Sequence, residues 1–139
     1  MKLIWRVLDF VIGGIFIYAG VVKAIHPLQF AYDIANYDAV PWQFGVRMAF
    51  YLPWLEIICG GLLILRRFYA GALSIILGLT LMFIGATVSA RVRGIDISCG
   101  CFGHASDNLG FVWHLVMNLA ILAAVALLMR RVAVARATA

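Results

Sequence analysis

Four long apolar runs, at about residues 5–25, 50–65, 69–89 and 109–129, decide what this chain can fold into. A helix needs roughly 20 apolar residues to cross the hydrocarbon core of a bilayer, and each run reaches or approaches that length. Lipid offers no hydrogen-bond partners, so a run that crosses it must be helical. Burying the same runs in a soluble core is not an alternative. Of the 139 residues, 65% are hydrophobic and 12% charged, against about 45–50% and about 25% in an ordinary soluble domain. So short a chain has too little interior to hide that surface from water. The expectation is an all-α membrane protein: one domain over 1–139, built as a bundle of four transmembrane helices. A soluble enzyme, a disordered chain and a collagen-like chain are excluded.

The net charge is +5, from 11 Lys and Arg against 6 Asp and Glu. These basic residues stand in small groups between the apolar runs and leave no contiguous basic face, which argues against nucleic-acid binding. Their distribution sets an orientation instead. Lys2, Arg6, Arg66, Arg67, Arg130, Arg131 and Arg136 fall on one side, and Lys23, Arg47, Arg91 and Arg93 on the other. The richer side is expected to be cytoplasmic and to carry both termini, as in a multi-pass protein of a bacterial inner membrane. The first run, with no small-residue cleavage site behind it, reads as a retained anchor and not a signal peptide.

Between the first two runs, Phe30, Tyr32, Ile34, Tyr37, Val40, Trp42 and Phe44 interleave with Asp33, Asn36 and Asp38. Residues 26–47 are therefore expected to form an outer loop, partly an amphipathic segment at the interface. Pro53 is expected early in the second span, where a missing N–H costs little. Gly13 and Gly20, and likewise Gly71, Gly78 and Gly85, recur every seven residues, and each set should mark a face where a neighbouring helix comes close.

The residues with most chemical content are Cys99-Gly100-Cys101, placed by this topology in the second outer loop. Gly100 eases the tight turn that would join the two thiols. A disulfide closing so small a ring departs from relaxed geometry and is easily reduced. Arg91, Arg93 and His104 nearby would favour thiolate. Three readings stay open: an exchangeable redox pair, a static bridge, and a soft thiolate site for a thiophilic metal ion, with His104 or Cys59 completing it.

Glu56 lies inside the second run, about 9 Å below its outer boundary if the helix starts at residue 50. An ionised carboxylate at such depth needs a partner and is a functional candidate by default. Lys23, near the outer end of the first run, is the expected partner, either as part of a working site or as a pair that sets helix register. Cys59 shares a face with Glu56, as a relay to the loop cysteines or as an inert small hydrophobe. His114 and Asn118 share a face of the fourth run, where they could bind a quinone carbonyl, move protons or join helices by hydrogen bonds. Asp9 and Arg6, three apart, read as a surface ion pair. Trp5, Trp42, Trp54 and Trp113 fit an interfacial belt, with Trp54 and Trp113 also available as pocket walls. Walker, Rossmann, His-Glu-x-x-His and nucleophile-elbow motifs are absent.

Three blocks carry a family resemblance. Residues 16–27, Phe-Ile-Tyr-Ala-Gly-Val-Val-Lys-Ala-Ile-His-Pro, resemble the first-helix signature of DoxX-like membrane proteins. Residues 52–61, Leu-Pro-Trp-Leu-Glu-Ile-Ile-Cys-Gly-Gly, resemble their second-helix signature. Residues 93–103, ending in Cys99-Gly100-Cys101-Phe102-Gly103, are similar to the methylamine utilisation MauE branch. The resemblance implies a four-span protein that handles redox equivalents for periplasmic partners, such as a thioredoxin-like protein or a disulfide-rich client. It maps the signature Lys and Glu onto Lys23 and Glu56 and leaves Cys59 unassigned. The functional expectation is thiol–disulfide exchange at Cys99 and Cys101. Glu56 and Lys23 would take part, and Arg93, His114, Asn118 and Trp54 would line a pocket for an acceptor such as a quinone. The rival expectations are a metal-binding or uptake protein on the same cysteines, and a chaperone subunit gripping a partner through the aromatic stretch 30–44.

Overall fold

The computed structural model describes residues 2–36, 40–94 and 111–138. Among these lie five helices and no strand: α1 (Lys2–Ile25), α2 (Pro27–Asn36), α3 (Trp42–Leu65), α4 (Tyr69–Val92) and α5 (Phe111–Ala137). All except α2 are long and apolar enough to cross a membrane. The chain is a multi-pass membrane protein built on a four-helix bundle.

Two prolines set the boundaries that hydropathy misses. His26 bends between α1 and α2 because a residue before proline is pushed out of helical backbone. Pro27 then opens α2, where no N–H is needed. Pro41, extended at ψ 145°, precedes the first residue of α3. The stretch expected as an outer loop is therefore mostly helix, and the second spanning helix starts at Trp42, well before residue 50. The short α2 buries Phe30 and Ala31 against Ala49 of α3, with Ile34, Val46 and Leu52 around them. Pro53 consequently falls in the interior of α3, where it leaves the Ala49 carbonyl without its helical donor.

Helices α1 and α3 run antiparallel at backbone contact. A Cβ on Gly13 would lie 2.7 Å from the Gly60 carbonyl oxygen, one on Gly60 2.6 Å from the Gly13 oxygen, and one on Gly20 2.6 Å from the Pro53 oxygen. Only glycine permits that approach. The glycines of α4 behave otherwise: around Gly71, Gly78 and Gly85 nothing lies within 4 Å of an added Cβ. The face that α4 buries carries Leu73, Ile76, Thr80 and Thr87 instead. A seven-residue repeat marks one side of a helix without saying which side. Thr80 and Thr87 donate to the carbonyls of Ile76 and Phe83, both at 2.8 Å, so neither leaves a donor unused in the core.

The α3–α4 corner turns through two left-handed residues, Arg66 at φ 55° and Phe68 at φ 49°, a conformation that costs a side-chain-bearing residue about 1–2 kcal/mol. A side-chain lock offsets this. Arg66 donates from Nε at 2.9 Å and Nη2 at 2.7 Å to Asp9 Oδ2, and the Tyr69 hydroxyl donates to Asp9 Oδ1 at 2.6 Å. Asp9 is fully buried, and Arg6 is exposed. The expected surface pair between Asp9 and Arg6 is thus replaced by a lock across 57 residues, since Asp9 lies on the inward face of α1 and Arg6 does not.

The central core joins Ile12 and Phe16 of α1, Cys59 and Leu63 of α3, Leu73 and Ile76 of α4, and Ile121, Val125 and Leu128 of α5. Among the described residues, the polar side chains buried within the spanning helices (Asp9, Lys23, Glu56, Thr80, Thr87, His114 and Asn118) are shielded inside this bundle.

Candidate functional site

On α3 the buried positions Gly45, Ala49, Pro53, Glu56, Gly60 and Leu63 recur at helical spacing, so Glu56 faces the bundle because its whole stripe does. With α3 beginning at Trp42, Glu56 sits about 21 Å along the helix axis, deeper than the 9 Å expected from a start at residue 50. Lys23 nevertheless reaches it from near the end of α1. Side chains lean toward the N-terminus of their own helix, and in antiparallel neighbours the two lean toward each other. Lys23 Nζ donates to Glu56 Oε1 at 2.7 Å, with the side chains 1% and 0% exposed. The ammonium also lies 4.4 Å from the centroid of the Phe83 ring and 5.2 Å from that of Phe30. Those aromatic faces supplement the carboxylate in place of water. Residues from α1, α2, α3 and α4 thereby surround one charge pair.

The fifth helix closes the site. A cavity of about 20 Å³ beside the pair is lined by Ile15, Phe16, Ala19, Lys23, Glu56, Phe83, Asn118 and Ile121. Glu56 Oε2 and Asn118 Nδ2 are both buried without a hydrogen-bond partner among the described residues. His114, one helical turn from Asn118, is also buried. The structure thus brings Lys23, Glu56 and Asn118 together, with His114 on the same face of α5 as Asn118. It does not bring in Trp54 or Trp113, which are 60% and 51% exposed, nor Arg93, exposed at the end of α4. A quinone ring does not fit this cavity, which is far smaller than the roughly 300 Å³ at the lower end of small-molecule pockets.

Cys59 is unpaired and 2% exposed, packed among Ile12, Phe16 and Leu63, about 26 Å along α3 from Trp42. No three His, Cys, Asp or Glu side chains converge among the described residues. A metal site would therefore rest on Cys99, Cys101 and His104, which lie outside the described residues. Sequence reasoning missed the Asp9–Arg66–Tyr69 cluster and the two phenylalanines against Lys23. No local signal marks either, since the partners are far apart in the chain and Phe83 and Phe30 look like ordinary apolar residues.

The family model for the methylamine utilisation protein MauE matches residues 1–131, nearly the whole chain. The chain belongs to the MauE family. No curated protein and no solved structure matches it. Lys23, Glu56 and Asn118 all fall within the stretch that the MauE model covers.

Proposed function

We propose that this MauE-family protein is a membrane thiol–disulfide carrier of the inner membrane, working through Cys99 and Cys101 on its periplasmic side. The observation that carries this reading is the Cys99-Gly100-Cys101 spacing in the segment joining α4 to α5. That segment leaves α4 and enters α5 at the end of the bundle where α1 ends and α3 begins, the end toward which Lys23 and His114 lie. A pair of thiols one residue apart is suited to exchange, because the bond between them is easily opened. Exchange balances within the two proteins. A thiolate of a periplasmic thioredoxin-like protein or disulfide-rich client attacks one sulfur of the Cys99–Cys101 disulfide and forms a mixed disulfide. The partner's second thiolate then attacks that bond, which leaves the partner oxidised and Cys99 and Cys101 as two thiols. Two electrons and two protons pass between the proteins, and the reverse direction is the same chemistry.

Arg91 and Arg93, at the end of α4, precede Cys99 closely in the chain, and positive charge near a thiol favours its thiolate. Glu56 and Lys23 lie within the bundle as a buried ion pair, Nζ to Oε1 at 2.7 Å. No step is assigned to a quinone. In reconstituted protein, a Cys101→Ser variant is expected to trap a mixed disulfide between Cys99 and the partner, and Cys99→Ser is expected to abolish exchange. Glu56→Gln is expected to slow exchange while keeping the helical content. Activity that survives replacement of both loop cysteines by serine would overturn the proposal.

A further inference from the structure

Glu56 has two carboxylate oxygens and Lys23 serves one of them. The second, Oε2, is buried without a partner among the described residues, and so is Nδ2 of Asn118, a residue that lines the same cavity from α5. An acceptor and a donor left unpaired in a low-dielectric interior are each unfavourable, and here both border one space. Any guest that satisfies both must donate to Glu56 and accept from Asn118, as a water, a hydroxyl compound or an amide can. Size decides among them: the cavity measures about 20 Å³, and roughly 10–15 Å³ suffices for a water molecule. Purely apolar cavities stay dry, whereas a cavity with charged and amide groups in its wall binds water tightly.

We infer that this cavity is a binding site for one structural water, which donates to Glu56 Oε2, accepts from Asn118 Nδ2, and thereby ties α5 to the α1–α3 pair. Asn118 is then a positioning residue that fixes the Glu56 carboxylate through the water. The inference stands apart from thiol exchange, since it concerns only the buried cluster and holds whatever the loop cysteines do.

The test is solid-state NMR of the uniformly labelled full chain in phosphatidylethanolamine–phosphatidylglycerol vesicles, reading magnetisation passed from water to side chains. The expected result is transfer to both Asn118 Nδ2 and the Glu56 carboxyl carbon, with Ile15 and Ile121 dark. In Asn118→Leu, transfer to Glu56 is expected to be lost while the Lys23–Glu56 contact persists. Absence of transfer to either group in the unmodified protein, transfer to only one of them, or undiminished transfer to Glu56 in Asn118→Leu overturns the inference. The measurement on the unmodified protein decides the matter even if the variant fails to reconstitute.

Discussion

Lys23 has given up nearly all its hydration for one carboxylate oxygen and two aromatic faces. Removing one member of such a pair strands the other, a loss of about 3–5 kcal/mol, whereas an apolar replacement of both is often tolerated. Lys23→Met should therefore lower stability in micelles by about 3–5 kcal/mol, and adding Glu56→Met should restore most of it, as measured by detergent-driven unfolding. Asp9 offers a sharper contrast. Asp9→Ala should lose about 1.5–3 kcal/mol, the worth of hydrogen bonds to a charged group, while Arg6→Ala should stay within about 0.5 kcal/mol. Equal effects from the two would refute the lock described for the α3–α4 corner. The Lys23–Glu56 pair was legible in the sequence because two opposite charges at membrane depth leave each other few alternatives. The partner of Asp9 was not, because Arg6 lies close in the chain and proximity along a helix does not reveal which side chains share a face.

At the scale of the helix, hydropathy identifies a span but not its inward side, since these helices are apolar nearly all round. Polar residues supplied the missing information: a charged or amide side chain within a span turns inward, and Glu56, Lys23, His114 and Asn118 all do. The glycine repeats supplied it only for α1. Gly60→Ala would press a methyl group 2.6 Å from the Gly13 carbonyl oxygen and should destabilise by about 1–3 kcal/mol, the usual penalty of overpacking. Gly78→Ala meets nothing within 4 Å and should be neutral or gain up to about 1 kcal/mol from helix propensity. Thermal unfolding of the two variants side by side separates the packed glycine face from the unpacked one. The boundaries of α2 and α3 escaped the hydropathy reading because residues 42–49 mix polar and apolar side chains. What makes them helical is packing on Phe30 and Ala31, a tertiary contact.

For the whole molecule, the number of spans followed from apolar length alone, whereas apolar length does not say which helices pair; for α1 and α3 that rests on glycine contacts and the Lys23–Glu56 pair. The charge bias predicts cytoplasmic termini. Alkaline phosphatase fused after the last helix should then stay inactive while a fluorescent fusion at the same point glows, and the opposite result would invert the topology. A membrane-impermeant thiol reagent added from the periplasmic side should modify reduced Cys99 and Cys101 but spare Cys59, which the core encloses. The close fit of α1 to α3 has a mechanical corollary. Two helices whose carbonyls nest where side chains would otherwise stand cannot slide along one another, while α4, with its glycines turned outward, meets the bundle through side chains such as Leu73 and Ile76. The molecule thus has one seam keyed by backbone shape, and residues 93–110 join α4 to α5, neither of which belongs to that seam. Glu56 and Lys23 stand on the two helices of that seam, so the fit that fixes α1 against α3 also fixes the register of the charge pair.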